Sequence, residues 1–246
     1  RLGLAALARR ADAVVFAKEG LAADYPGARG IVVRNHALIP PGLEPRRHSA
    51  GPLTLLHLGA LTRARGWPQM LAALALLPPD TRLLLIGRFT DGSEPAFLAA
   101  AARFGLGSRI ERAGWLPAEA ALARAAAEAD VNLVLLQPGE ANHALASPHK
   151  LFDGMACGLP AVVPGFAAQV AAVAAAAGCG IAVDVTDPAA IAAAVMSLAD
   201  PARRARMGAA ARAAAEGAWG WPAQAAELVR LYEGFRAAGP AARPAL

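Results

Sequence analysis

Along the chain, short runs of consecutive apolar residues alternate with longer stretches in which Leu and Ala recur at helical spacing. The short runs at 13–17, 30–34, 53–59, 81–87, 110–114, 131–136, 160–163 and 181–184 read as β-strands. The longer stretches at 66–77, 94–104, 117–129, 148–157, 167–177 and 188–198 read as helices. After Asp200 the alternation stops, and two helices follow at roughly 201–216 and 220–237. This order predicts an α/β fold: a Rossmann-like, doubly wound parallel sheet with helices on both faces. In such sheets ligands bind at the carboxyl ends of the strands, where glycine-containing loops lead into helix N-termini.

The pattern also divides the chain. Residues 36–52 hold four prolines and two glycines, break all periodicity and read as a linker. Before it, residues 1–35 read as helix–strand–helix–strand. Two strands with no larger sheet cannot bury both faces, so this piece is expected to belong to a domain whose first part is absent. The chain starts without Met, which agrees with a missing N-terminus. The expected units are therefore 1–50 (remnant and linker), 51–200 (one Rossmann-like domain), 201–238 (closing helices) and 239–246 (a fraying tail).

Composition changes this picture in three places. Hydrophobic residues make up 56% of the 246, but 67 of these are Ala. Ala-rich stretches are therefore background and carry no signal. Residues 154–183 lack any charged side chain, which raises the question of a membrane span. Their prolines and glycines break any spanning helix, and the segment reads instead as buried strand, turn, helix and strand. Third, positive charge is carried by 22 Arg and only two Lys, Lys18 and Lys150.

The net charge of +5 fits an anionic ligand or a peripheral membrane contact. Basic residues form short pairs with no interleaved aromatics, which argues against nucleic acid. Cys157 and Cys179 belong to no metal-ligating cluster, so no metal is expected and a reducing, cytoplasmic setting is.

Three segments carry candidate chemistry. The first, 147–160, reads Ser-Pro-His-Lys-Leu-Phe-Asp-Gly-Met-Ala-Cys-Gly-Leu-Pro. Ser147 and Pro148 suit an N-cap and first turn. Lys150 and Asp153, three apart, share one end of a helical face. Backbone amides and a cation there suit a phosphate, and a carboxylate suits a sugar hydroxyl pair. The plainer reading is a weak surface ion pair between Lys150 and Asp153. The use of Lys in a chain that otherwise uses Arg weighs against it, because a compact ammonium suits phosphate and Arg is no equivalent.

In the second segment a strand ends at Gly59, and Arg63 and Arg65 precede a helix starting near Gly66. Gly59 permits close approach of a ligand, and Arg65 can clamp a diphosphate beside the helix N-terminus. The third comprises the strand ends Ile86-Gly87-Arg88 and Gly114-Trp115-Leu116-Pro117, which suit the border of a nucleotide but are also ordinary turns.

Together, in this order, the segments resemble the C-terminal half of a GT-B-fold glycosyltransferase of retaining family 4 (glycosyl transferases group 1). Residues 58–66 are similar to that family's G-R-L…K-G loop, and 147–160 to its P-x-K-L-x-E-x-M-A-x-G-x-P block. Ala11–Phe16 and Ile31–Asn35 resemble the end of its N-terminal, acceptor-binding domain. Cys179-Gly180-Ile181, Asp187-Pro188, Met207-Gly208 and Trp219-Gly220-Trp221…Tyr232 resemble its late elements. The resemblance implies a nucleotide-diphosphate sugar as donor substrate, no cofactor, and an acceptor (a glycan or lipid-linked sugar) that the sequence leaves unspecified.

Carried over by position, Arg65 replaces the family Lys at the diphosphate, and Asp153 replaces the second Glu of a Glu–seven residues–Glu motif that holds the ribose. Arg65 and Lys150 are then the expected catalytic cations. Gly59, Gly87, Trp115, Leu116, Ser147, Pro148 and Leu151 join them and Asp153 in the expected donor site. Ala60 stands where the family has Arg, and Leu145 where it has the first Glu. Glu140 lies five residues too early for that position, which leaves its substitution open. The resemblance further implies a cytoplasmic enzyme, placed as far as the inner face of the membrane, of which this chain is an inactive donor-binding portion. A catalytically silent nucleotide-binding or scaffold module is the alternative. A sugar-nucleotide epimerase is a third, with only His143 and His149 near the site to do its proton transfer.

Overall fold

The computed structural model describes residues 2–36, 38–144 and 146–238. A six-stranded, all-parallel sheet organises most of the chain, in spatial order β5-β4-β3-β6-β7-β8. Its strands are β3 (Thr54–Leu58), β4 (Arg82–Ile86), β5 (Ile110–Gly114), β6 (Val131–Leu133), β7 (Ala161–Pro164) and β8 (Gly180–Val183). The crossover helices are α3 (Trp67–Leu76), α4 (Glu94–Arg103), α5 (Ala118–Glu128), α7 (His149–Ala156) and α8 (Ala168–Ala176). After β8 come α9 (Pro188–Ser197), α10 (Pro201–Glu216) and α11 (Trp221–Ala238). This is the doubly wound α/β architecture that the alternation predicts.

Period-two alternation within the apolar strands builds two cores, one on each face. Leu56, Leu58, Leu84 and Ile86 point to the face packed by α5, α7 and α8. Leu55, Leu83 and Leu85 point to the other, with Trp67, Met70, Leu71, Phe97 and Ile191. Arg204 is buried in this frame and donates to Leu198 O, Ala199 O and Ser49 O, so it fixes the start of α10 to the preceding turn and to the residues before β3.

The structure corrects several sequence boundaries. The strand expected at 131–136 ends at Leu133, because β6 pairs with β3 only through Val131 and Asn132. Residues 134–136 stay buried, but their backbone leaves the β3 ladder. A short helix, α6 (Ala141–Ala144), occupies the following loop and has no counterpart in the hydrophobic pattern. The uncharged stretch 154–183 forms the end of α7 and the whole of β7, α8 and β8. Among the described residues no helix is long and apolar enough to cross a membrane.

The N-terminal piece comprises α1 (Leu2–Arg10), β1 (Val14–Phe16), α2 (Glu19–Ala22) and β2 (Gly30–Val32). β1 and β2 pair in parallel with each other, apart from the six-stranded sheet. The stretch read as a linker is tied down along its length. Leu43 enters the core, Arg46 N–H donates to Cys157 O, and Arg46 reaches the buried Asp130 carboxylate at 3.1 Å. Burial raises the Asp130 carboxyl, but His48, the Thr54 N–H and Arg46 outweigh it and hold the group below the usual carboxylate range. Cys157 and Cys179 are free and buried, and burial pushes their thiols up to about 12 and about 11, so neither is a nucleophile near neutral pH.

Candidate functional site

Three contiguous cavities open at the carboxyl ends of β3, β4 and β5, and Gly59 borders all three. The largest, of about 560 Å³, lies between the N-terminal piece, the β3 exit and the start of α7. It brings together Gly59, Arg65, Ser147, Pro148, Lys150 and Asp153, six of the residues singled out from sequence. A second, of about 420 Å³, is lined by Gly59, Gly87, Arg88, Glu94, Arg112 and Trp115 among others. The third, of about 230 Å³, holds Gly87, Trp115 and Leu116 opposite Asp153. Trp115 is 62% exposed, and the Arg88 guanidinium stacks 4.9 Å from its ring.

The β3 exit shapes one wall. Thr62 accepts from Arg65 N–H and caps a single 3-10 turn, Arg63–Arg65. Gly66 then takes a left-handed conformation and opens α3; a Cβ there would lie 2.3 Å from Leu135 O. This turn carries Arg65 over the cavity, where its Nη1 donates to Ala60 O at 3.0 Å. Ala60 itself supplies only this carbonyl and a methyl group to the wall.

The opposite wall is the first turn of α7. Asn132, a lone amide inside β6, donates to Lys150 O at 2.7 Å and packs against Gly154, where a Cβ would fall 2.2 Å from Asn132 Nδ2. The sheet thereby fixes the depth of the helix. The N-cap is Pro148 and not Ser147 as the sequence reading has it, and no side chain caps the helix. The Leu151 N–H turns back to Pro148 O, and the start of α7 at His149 and Lys150, with the positive end of the helix dipole, faces the cavity.

Lys150 is buried, 8% exposed, with Nζ 3.4 Å from His57 Nε2. Burial, and then the Arg65 charge, draw its amine down to about 7, against a smaller opposing pull from Asp153. His57 is forced well below its ordinary value by burial and by Lys150. The plain surface-pair reading fails: among the described residues no ion pair joins Lys150 to Asp153. The Asp153 carboxylate sits instead 4.0 Å from His149 Nδ1, and its proximity raises the His149 ring.

Leu151 lines none of these cavities: its side chain is in the core, and its N–H donates to Pro148 O. Gly87 is glycine for a backbone reason, since a Cβ would stand 1.9 Å from Gly59 O. Leu145 lies outside the described residues, and Glu140 is exposed and lines none of the three cavities. His143 lines the largest cavity with Nδ1 2.9 Å from Gln137 O. Sequence reasoning missed His57, Asn132 and Thr62. For the first two the only signal is a single polar residue inside an apolar strand run.

A family model described as glycosyl transferases group 1 matches residues 52–200. The chain belongs to the glycosyl transferases group 1 family. Comparison with curated proteins returns no match. Among solved structures, the chain of this family member is similar to a sucrose-phosphate synthase from Thermosynechococcus elongatus. That match has TM-score 0.76 and 22% identity, and covers 97% of this chain and 62% of that one. It is similar as well to the Anabaena protein HepE in complex with UDP (TM-score 0.70, 17% identity, 94% and 66% covered). A third likeness is to WaaG, a glycosyltransferase involved in lipopolysaccharide biosynthesis (TM-score 0.63, 19% identity, 87% and 61% covered). At these identities the likeness is one of fold. The chain spans less than two thirds of the length of each of these proteins.

Proposed function

We propose that this group 1 chain is the donor-binding part of a glycosyltransferase, which binds a nucleoside-diphosphate sugar and transfers the sugar to an acceptor. The observation that carries the reading is the meeting of Lys150, Arg65 and the uncapped N-terminus of α7 on one cavity, with Asp153 beside them. Family membership supports it, as do the HepE structures in complex with UDP and with UDP-glucose. In this reading the diphosphate lies against Lys150, Arg65 and the α7 amides. Asp153 takes the ribose hydroxyls, and the base occupies the side of the cleft formed by Gly87, Trp115 and Leu116.

Breaking the sugar–phosphate bond places oxocarbenium-like charge on the sugar and negative charge on the departing diphosphate. Cations and helix dipoles at that phosphate stabilise the transition state more than the ground state, because the charge they meet grows as the bond breaks. These groups belong to the protein, so the step as drawn uses no metal or other cofactor. Retention of anomeric configuration, a glycan or lipid-linked acceptor and a placement at the inner face of the membrane complete the proposal by family resemblance.

Calorimetric titration with UDP, GDP and ADP tests it. One of the three is expected to bind with a Kd between about 1 µM and 1 mM, the range of about −8 to −4 kcal/mol. An absence of binding by all three contradicts the reading. Binding combined with no transfer or hydrolysis by the full-length protein favours a silent nucleotide-binding module.

A further inference from the structure

The buried ring of His57 meets two groups with one nitrogen. Its Nε2 lies 3.2 Å from Ala60 O and 3.4 Å from Lys150 Nζ, while Nδ1 is buried and has no partner. The carbonyl needs an N–H, whereas an ammonium needs a lone pair, and a single ring nitrogen offers one or the other. Two arrangements satisfy the contacts. In the first, His57 carries its proton on Nε2 and donates to Ala60 O, and Lys150 is a neutral amine. In the second, the proton sits on Nδ1 and Nε2 accepts from the Lys150 ammonium. Ala60 O then keeps its bond from Arg65 Nη1 at 3.0 Å.

We propose that His57 is a positioning residue which, by changing tautomer, couples nucleotide-diphosphate binding to the uptake of a proton by Lys150. The inference rests on the nucleotide reading above and deepens it. Arg65 faces Lys150 from the turn after β3, His143 from α6 and Lys18 from the N-terminal piece, all around the same cavity. On α7 itself are His149 and Asp153, the sole carboxylate among the described residues lining that cavity. Farther off, Arg212 of α10 binds Ala156 O at the other end of α7, and α5 meets the helix at Cys157, a thiol that stays protonated. Asn132 of β6 is uncharged. Cations and histidines thus dominate the surroundings, and an incoming polyanion is what changes the balance towards the ammonium.

With the Lys150 amine drawn down to about 7, the free protein holds both arrangements near neutral pH. A bound diphosphate selects the charged one. Isothermal titration in buffers of differing ionisation enthalpy reads the proton count directly, using whichever of UDP, GDP and ADP binds most tightly. Near pH 8 the protein is expected to take up about 0.9 proton per nucleotide, and the affinity to fall about five- to ten-fold per pH unit above that. His57→Leu removes the acceptor, and the pH at which affinity begins to fall moves down by about one unit. His57→Gln, whose amide oxygen reaches the position of Nε2, restores the wild-type profile.

A merely structural His57 would change Kd at all pH values and leave the profile in place. Nucleotide binding with no proton uptake near pH 8 overturns the inference and leaves the nucleotide reading intact. An unmoved profile in His57→Leu overturns it as well. Failure of the wild-type protein to bind any of the three nucleotides overturns both readings.

Discussion

Lys150→Met is expected to weaken nucleotide-diphosphate binding by about 100-fold or more while making the free protein more stable near pH 6, by about 2–4 kcal/mol. The substitution keeps an unbranched side chain of similar length and removes a cation that the fold buries. The sign follows from linkage. The amine is near 7 in the folded protein and near 10.5 when free, so below about pH 7 it is charged in both states and the full cost of burying it stands. Between about pH 7 and 10.5 the unfolded chain binds the extra proton, and wild-type stability rises with pH across that window. The variant lacks that slope, so its advantage shrinks towards pH 10. Urea unfolding of both proteins at several pH values, paired with nucleotide titration, measures the two effects together. A variant that is less stable than wild type near pH 6, or that still binds nucleotide normally, contradicts this account of Lys150.

The second large effect is expected at the crossing of the β3 and β4 exits. Gly87→Ala should cost more than about 3 kcal/mol in stability. A Cβ at Gly87 would lie 1.9 Å from Gly59 O and 2.6 Å from Gly59 C. Neither backbone can yield, because Gly59 N–H donates to Ile86 O at 2.7 Å and Gly87 N–H to Gly114 O at 2.8 Å. The φ of 149° at Gly87 adds backbone strain for any L side chain. Gly59→Ala is the control. Its φ is 90°, but nothing stands within 4 Å of the added Cβ, so its cost should be only about 1 kcal/mol. Thermal or urea unfolding of the pair decides the matter, and equal costs would show that strain and not the crossing governs Gly87.

These two residues illustrate what the sequence makes legible. The sheet is written plainly, because Leu83–Ile86 and most of Leu53–Leu58 are apolar on both faces, as a buried parallel strand is. The Ala-rich helices α8, α9 and α10 are less distinct, since Ala is compatible with either face and blurs the helical period. The scarcity of Lys marks Lys150 against 22 arginines, and the structure places that residue on the largest cavity of the β-strand exits.

What the pattern does not carry is the internal polar support. His57 and Asn132 each interrupt an apolar run by one residue, and only the folded sheet shows that one meets Lys150 Nζ and the other Lys150 O. Gly87 reads equally as the border of a nucleotide or as an ordinary turn, and only the structure shows that the neighbouring backbone requires its lack of a side chain. The Pro-rich stretch 36–52 reads as a spacer because its partners, Asp130, Cys157 and Arg204, lie far along the chain.

The central claim is that the cavity between Arg65 and the first turn of α7 receives a nucleoside diphosphate. A crystal structure of the protein soaked with the nucleotide that binds most tightly in solution tests it most directly. The account predicts the diphosphate within hydrogen-bonding distance of Lys150 Nζ and the first-turn amides of α7, with the ribose hydroxyls on Asp153 and the base beside Trp115. A nucleotide seated elsewhere, such as in the groove between Pro40–Arg47 and Glu119, with Lys150 still turned to His57 alone, would contradict it.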